Sequence, residues 1–262
     1  MLKVPVVPLG TTGLKISKIG FGTFDFGVPS LKISPRKGAG ILAESLKLGI
    51  NFWDSSDDYG SHPHIASALK HVPRREVVIS TKTYAKTGKT AERRLESILK
   101  ELGADYLDIF LLHYVTSDWV RDAQEALEQI KNLKASGIVK AVGLSTHSVS
   151  VAKKAAQFGE LDVIMAVCCK ADPAVIRKFK KHIPLEDGSM DEMFHALELA
   201  HNSGKGIVAM KVLGGGTRAP LFARDYRQAI EAVSRFEFVD SIVIGMKTID
   251  EVKKNVKVMA TG

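Results

Sequence analysis

Four side chains in the first half of the chain have the chemistry to move a proton: Asp54, Tyr59, Lys82 and His113. They supply a carboxylate, a phenol, an ammonium and an imidazole. Asp54, Lys82 and His113 stand at the ends of successive apolar runs, and Tyr59 follows Asp54 by five residues. If those runs are neighbouring parallel strands, all four groups converge on one barrel mouth. Proton transfer to an oxygen is the reaction such a set permits. A free tyrosine has a pKa of about 10 and is a poor acid at neutral pH. A nearby ammonium favours the phenolate, so Lys82 is expected to make Tyr59 a better donor. Asp54 would hold Lys82 charged and in place, and His113 would orient the receiving oxygen. No nucleophile stands beside a base. Singly, each residue has an ordinary role as ion pair, packing ring or core histidine. Their joint position favours chemistry.

The elements that must position them are legible as alternation. Strand candidates are Lys18–Thr23, Asn51–Ser55, Val77–Thr83, Leu107–His113, Val139–Thr146, Val163–Val167, Ile207–Leu213 and Ser241–Met246. Helical spacing falls between them. Leu95, Ile98, Leu99 and Leu102 recur at i, i+3, i+4 and i+7. Trp119, Ala123, Ala126, Leu127, Ile130 and Leu133 form the next such face, Met190, Met193, Phe194 and Leu197 a later one, and Ile249, Val252, Val256 and Met259 the last. Gly49, Gly103, Gly137, Gly159 and Gly204 precede strands, where glycine ends a helix in the left-handed conformation. Repeated βα units with nearly all-apolar strands predict an α/β fold, a closed (β/α)8 TIM barrel, rather than an open sheet. No linker is evident, so residues 1–262 are read as one domain. Residues 1–15 predict an N-terminal β-hairpin able to plug the barrel bottom. Lys170 to Gly188 form a long aperiodic excursion of the kind that is often functional.

Composition narrows the function classes. The chain has 262 residues, 45% hydrophobic and 25% charged, as soluble globular proteins do. No apolar run approaches the roughly 20 residues of a membrane span, and Met1–Pro5 lack a signal-peptide core. A cytoplasmic protein is expected, without membrane or nucleic-acid partners. The formal charge of +8 includes a basic run, Arg177 to His182, read as a solvated face. Cys168 and Cys169 are the only cysteines and are read as two packed thiols at a strand end rather than a disulfide framework or metal site.

The residues that carry this pattern also resemble the aldo-keto reductase superfamily over nearly the whole chain. The likeness begins at Leu9-Gly10, Gly13 to Ser17 and Gly20-Phe21-Gly22-Thr23. It continues through Gly49 to Gly60, Ser80-Thr81-Lys82 and Tyr106 to His113. The resemblance implies carbonyl reduction by hydride from a nicotinamide, with Tyr59 as general acid, Asp54, Lys82 and His113 supporting it, and no metal. It is closest to a microbial branch whose members often carry an appended ferredoxin-like domain; no cysteine-rich domain occurs in these 262 residues.

On the cofactor side the resemblance places Gly22, Thr23, Ser145, Thr146, Met165, Met210, Leu213, Gly214, Lys247, Thr248 and Asn255 against the dinucleotide. Three of these depart from the family pattern. Thr146 stands where asparagine, and Met165 where glutamine, usually hold the carboxamide. Met210 stands where an aromatic usually stacks on the ring. The resemblance therefore implies a looser grip on the nicotinamide end. The Gly214-Gly215-Gly216 turn and Arg218 would approach the pyrophosphate. Lys247 and Thr248, at a helix start, would meet a 2′-phosphate, which favours NADP(H) over NAD(H). A small carbonyl or alcohol is the expected substrate. Two other readings stand beside this one. A barrel that binds NADP(H) as a sensor with little turnover fits the altered amide contacts. A metal-dependent hydrolase would use His62 and His64 with Asp54, His113 or His147, although the His-Pro-His step is read as surface histidines on a loop.

Overall fold

Strands that are apolar on both faces must be covered on both faces, and that requirement selects parallel βα units. The computed structural model describes residues 2–116, 124–169, 185–214 and 226–261. Two short strands, β1 (Val6–Pro8) and β2 (Lys15–Ser17), form an antiparallel hairpin. The barrel strands follow: β3 (Ile19–Gly22), β4 (Phe52–Asp54), β5 (Val78–Thr83), β6 (Leu107–Leu112), β7 (Val139–Thr146), β8 (Val163–Val167), β9 (Gly206–Met210) and β10 (Ser241–Gly245). All pair in parallel and close in the order β10-β3-β4-β5-β6-β7-β8-β9, the expected (β/α)8 barrel.

Eight α-helices are described: α1 (Pro35–Lys47), α2 (His62–Leu69), α3 (Gly88–Leu102), α4 (Gln124–Ala135), α5 (Val149–Gln157), α6 (Met190–Asn202), α7 (Tyr226–Ser234) and α8 (Ile249–Thr261). Among the described residues no helix is long and apolar enough to cross a membrane. Helix α3 shows how local sequence makes an element. Thr87 caps it by accepting the Thr90 N–H, its face of Leu95, Ile98 and Leu102 is buried, and Gly103 ends it at φ 63°. Gly49, Gly137 and Gly204 also take positive φ, as expected, but Gly159 does not. Helix α5 ends earlier, with Phe158 extended, so no left-handed residue is needed there.

Strands β7 and β8 have the boundaries that periodicity predicts. Strand β9 does not: it ends at Met210 rather than Leu213. Lys211 turns left-handed at φ 58°, and the Gly214 N–H closes a turn on the Lys211 carbonyl at 2.7 Å. Val212 and Leu213 are therefore rim residues, not strand. Trp119 and Ala123 of the second expected helical face lie outside the described residues, as do the run from Arg177 to His182 and most of the excursion after β8. The end of that excursion returns to the barrel, where Asp187 bridges Ser148 at the start of α5.

Side chains inside the barrel form their own cluster. Phe52, Val78, Ile109, Leu111, Ala141, Val163, Met165 and Val208 point inward, and the hairpin contributes Leu9 and Ile16 to the same cluster. The hairpin is tied to the N-terminal ends of the strands through Thr11 N–H to the Gly204 carbonyl, 2.8 Å, and Gly10 N–H to Asp240 Oδ2, 3.2 Å. The expected plug is thus in place at the end of the barrel opposite the strands' C-terminal mouth. Cys168 and Cys169 are buried and unpaired as thiols. Burial pushes the Cys169 thiol up to about 11 and Cys168 further still, so neither is a thiolate at neutral pH.

Truncating the plug should be expensive. Leu9→Ala removes a fully buried side chain from the inner core cluster. The expected loss is about 2–5 kcal/mol, measurable by urea denaturation. A loss below 1 kcal/mol would mean that the hairpin is not part of the cooperative core.

Candidate active site

The barrel's register brings the four proton-handling residues together. Asp54 ends β4 and pairs with Ser80 of β5; Lys82 lies two residues further along the same inward face. Lys82 is only 1% exposed and Asp54 3%. The ammonium donates to both carboxylate oxygens at 2.7 Å and to the Ser55 carbonyl at 2.6 Å. An ammonium has three protons, so this set uses all of them. Burial pushes the Asp54 carboxyl up, and Lys82, by charge and hydrogen bond, opposes that shift. The pair is held from outside as well. Thr23 Oγ1 donates to the Asp54 carbonyl at 2.8 Å and contacts Ser61 Oγ, which also meets Ser55 Oγ.

Tyr59 lies on the loop after β4, half buried, with its ring 5.1 Å from the Lys82 ammonium. A net acidification of Tyr59, as expected from Lys82, is not what this geometry produces. The ammonium has no proton left for the phenolic oxygen and sits under the ring face. Desolvation, then the negative charges of Asp54 and Asp58, push the Tyr59 pKa well above its ordinary value. The phenol therefore keeps its proton through the neutral range. His113 follows β6, and its ring meets Tyr59 edge-on at 5.7 Å and Tyr84 at 4.3 Å. Burial, then the charges of Lys82 and Lys211, lower the His113 pKa to about 3. The imidazole is neutral. Phe24, Tyr84 and Tyr114, all exposed, ring this mouth, with Phe24 edge-on to Tyr59 at 5.1 Å.

An open cleft of about 440 Å³ runs from Tyr59 and Asp54 across the ends of β8, β9, β10 and β3 to the start of α8. Of the residues expected against a dinucleotide, Gly22, Met165, Met210, Leu213, Lys247 and Asn255 line it. Thr23, Ser145, Thr146, Gly214 and Thr248 do not. Thr146 points to the helix side, where its hydroxyl donates to the Val115 carbonyl at 2.7 Å and accepts the Ser148 N–H at 3.0 Å. Ser145 Oγ accepts the Tyr114 N–H at 2.9 Å. Gly214 is buried behind the Lys211 turn, and Thr248 accepts the Glu251 N–H at the start of α8. Gly215, Gly216 and Arg218 lie outside the described residues.

Sequence reasoning missed several cleft residues: Phe24, Asp25, Lys211, Tyr226, Glu251 and Lys254. Glu251, Lys254 and Asn255 were within reach, because i, i+3 and i+4 share one helix face. Lys211 was not, because only its left-handed backbone turns it into the cleft. Desolvation and Lys82 lower its pKa, while Asp54 and Asp25 oppose the shift.

The His-Pro-His step is corrected by the structure. His62 and His64 are not surface loop residues but buried members of the first turn of α2. Proline suits that turn because its missing N–H would be unpaired there anyway. His62 bonds Glu101 at 2.6 Å and Thr81 at 3.1 Å, and His64 bonds the Ile33 carbonyl. His62 therefore packs between α2, α3 and the outer face of β5, and His64 against Phe26 and α1, outside the barrel interior that holds Asp54.

The family model for the aldo/keto reductase family matches residues 18–231. The chain belongs to the aldo-keto reductase family. It is 28% identical over 242 residues to an NADH-specific methylglyoxal reductase of Escherichia coli, covering 81% of this chain and 73% of that one. It is 27% identical over 183 residues to an L-galactose dehydrogenase of Arabidopsis thaliana, covering 64% and 57%. Among solved structures, an aldo-keto reductase from Pseudomonas aeruginosa superposes with a TM-score of 0.80 at 25% identity, covering 100% of this chain and 97% of that one. One from Bacillus halodurans in its holo form superposes at 0.75 with 21% identity, covering 97% and 90%, a likeness of fold.

An aldo-keto reductase uses a nicotinamide cofactor, and the cleft suits one. Gly22 and Gly245 leave its floor bare, where a Cβ on Gly245 would come within 2.9 Å of the Asp25 carboxylate. Met165 and Met210 offer polarisable surface to a flat ring. Lys247, Lys254 and Asn255 supply charge and an amide at the far rim.

The neutral His113 has a consequence for stability. Its folded pKa of about 3 lies below the unfolded value of about 6.5. Between those limits the unfolded chain binds a proton that the folded chain does not. Stability from this group is therefore complete above pH 6.5 and is lost as pH falls toward 3. His113→Gln should flatten the pH dependence of urea unfolding between pH 6.5 and 4 relative to the parent. Parallel curves for the two proteins would show that the imidazole is not held neutral.

Proposed function

We propose that this aldo-keto reductase is an NADP(H)-dependent oxidoreductase that reduces a small aldehyde or ketone, with Tyr59 as general acid. The observation that carries the reading is the placement of a protonated Tyr59 at one end of the cleft, directly over the buried Asp54–Lys82 pair and beside neutral His113. When bound, the nicotinamide supplies hydride to the carbonyl carbon. Tyr59 supplies the proton to the oxygen. An alkoxide is a much stronger base than a phenolate, so a phenol with a raised pKa still gives up its proton to it. The phenolate that remains has the Lys82 ammonium beneath its ring. Lys82 is thus a charge stabiliser, not a direct donor to the phenol, and Asp54 keeps it in place. His113 donates a hydrogen bond to the same oxygen and aims the carbonyl. Phe24 and Tyr84 shield the reacting centre.

Preference for NADP(H) rests on Lys247 and Lys254, two ammoniums on the rim at the start of α8, against one carboxylate, Glu251. The Escherichia coli relative is named as NADH-specific, so the preference has to be measured on this chain. The carboxamide finds few partners: Met165 has no amide, and the Thr146 hydroxyl is turned to Val115. That observation favours a second reading, an NADP(H)-binding sensor with little turnover, which steady-state rates on an aldehyde and ketone panel would separate from the first.

Two substitutions test the main reading. Tyr59→Phe keeps the ring and removes the donor. NADPH affinity should be nearly unchanged while carbonyl reduction falls roughly 10²–10⁴-fold, as for other positioned acids. Retention of full activity by the folded variant would remove Tyr59 from the mechanism. Lys247→Ala should weaken NADPH more than NADH in fluorescence titrations. An equal loss for both would take Lys247 away from the 2′-phosphate.

A further inference from the structure

His113 can aim a carbonyl only if its one ring proton is on the correct nitrogen. A neutral imidazole carries a single N–H, and its other nitrogen repels an oxygen lone pair. Nδ1 of His113 lies 2.8 Å from Ser56 Oγ. Nε2, across the ring, has no hydrogen-bond partner among the described residues and is not a buried orphan. The Ser56 hydroxyl is fully buried, two residues beyond β4. It has one proton and two acceptors in reach, Nδ1 and the Lys82 carbonyl at 3.3 Å. That carbonyl already accepts the Asp57 N–H at 3.0 Å. The imidazole nitrogen is the closer acceptor and the stronger one. It also has no other donor.

We propose that Ser56 is a positioning residue that sets the tautomer of His113: its hydroxyl donates to Nδ1, which leaves the ring proton on Nε2 for the substrate oxygen. The proposal deepens the reductase reading and rests on it for its kinetic consequence. Asp58 makes the serine necessary. Its carboxylate lies 3.6 Å from Nδ1, and its side chain is 46% exposed. A carboxylate is acceptor-only, so it draws the proton to Nδ1 and leaves Nε2 bare. Ser56, nearer and buried, reverses that bias. Tyr59 and Tyr84 meet the ring with their own rings, and Lys82, Lys211 and His147 act on it by charge. Since the ring stays neutral, the two tautomers are the states that compete. The Nε2–H tautomer places a second donor beside the Tyr59 phenol, and two donors on one developing oxyanion form the preorganised arrangement that lowers the barrier.

The test uses the full chain, labelled with ¹⁵N at histidine, with and without saturating NADPH. Long-range proton–nitrogen correlation reports which ring nitrogen of His113 is protonated, independently of turnover. The parent should show Nε2–H. Ser56→Ala should shift His113 toward Nδ1–H and lower kcat by about 10- to 100-fold, less than complete loss of an oxyanion donor costs. NADPH affinity should not change. Ser56→Thr, which keeps the hydroxyl, should restore both readouts. The double variant Ser56→Ala, Asp58→Ala removes the competing carboxylate and should recover Nε2–H and most of kcat. If Ser56→Ala unfolds, Ser56→Cys, a weaker donor of similar size, takes its place. An Nδ1–H parent overturns the proposal, as does an unchanged tautomer in Ser56→Ala, or a loss of kcat with no tautomer shift. If the tautomer responds as described while Tyr59→Phe stays fully active, the reductase reading fails and the Ser56 assignment stands.

Discussion

A lysine ammonium buried inside a barrel next to a single carboxylate governs the electrostatics of everything around it. Taking both charges from water is costly, and mutual attraction offsets that cost only when the geometry is good and the remaining protons are satisfied. Here Asp54 accepts two hydrogen bonds from Lys82, and the Ser55 carbonyl accepts the third. Having no free proton, Lys82 acts on its neighbours through its field. It helps keep His113 neutral and lowers the pKa of Lys211, while Asp54 helps keep Tyr59 protonated. The mouth thereby holds a phenol that keeps its proton and an uncharged imidazole.

That pair depends on the closed barrel. Asp54 and Lys82 come from adjacent strands, and their approach is set by the pairing of Asp54 with Ser80. The closed order of eight strands leaves no edge to slip, and the register is pinned further by buried hydroxyls of Thr23, Ser55 and Ser61 outside the pair. The hairpin seals the opposite end with Leu9 and Ile16. The charged pair between these ends is almost fully buried. The same architecture divides the mouth in space: β4 to β6 and the loop after β4 carry the proton-handling side chains, and β8 to β10, β3 and α8 line the cleft.

The departures from the family pattern fall on that second side. Met165 and Met210 replace polar and aromatic surface with thioethers, and the Thr146 hydroxyl is absorbed by the Val115 carbonyl. The far rim is richer in charge than the sequence motif suggested, with Lys254 and Glu251 beside Lys247. Glu251 also accepts the Lys247 N–H at 2.6 Å, so the start of α8 is already partly capped by its own chain. The two ends of the cleft therefore differ in character, with charge at the α8 rim and thioethers at the barrel centre.

Much of this was written in the order of residues. Alternation of apolar runs with helical faces determined the barrel, because a strand covered on both sides and a helix with one apolar stripe have few other ways to pack. The spacing of Asp54, Tyr59, Lys82 and His113 at strand ends determined that one carboxylate, phenol, ammonium and imidazole would meet. Tertiary structure alone decided how they meet. Lys82 spends its protons on Asp54 and Ser55 rather than on Tyr59, a choice made by the distance between two strands and invisible in either one. Lys211 enters the cleft because one residue turns left-handed, and His62 and His64 leave the candidate set because α2 starts at that step and buries them outside the barrel. Ser56 lies two residues from Asp54 in sequence but gains its role from a histidine 57 positions away. Periodicity reports which face a side chain takes, whereas a hydrogen bond depends on ångström distances between elements that only the closed barrel sets.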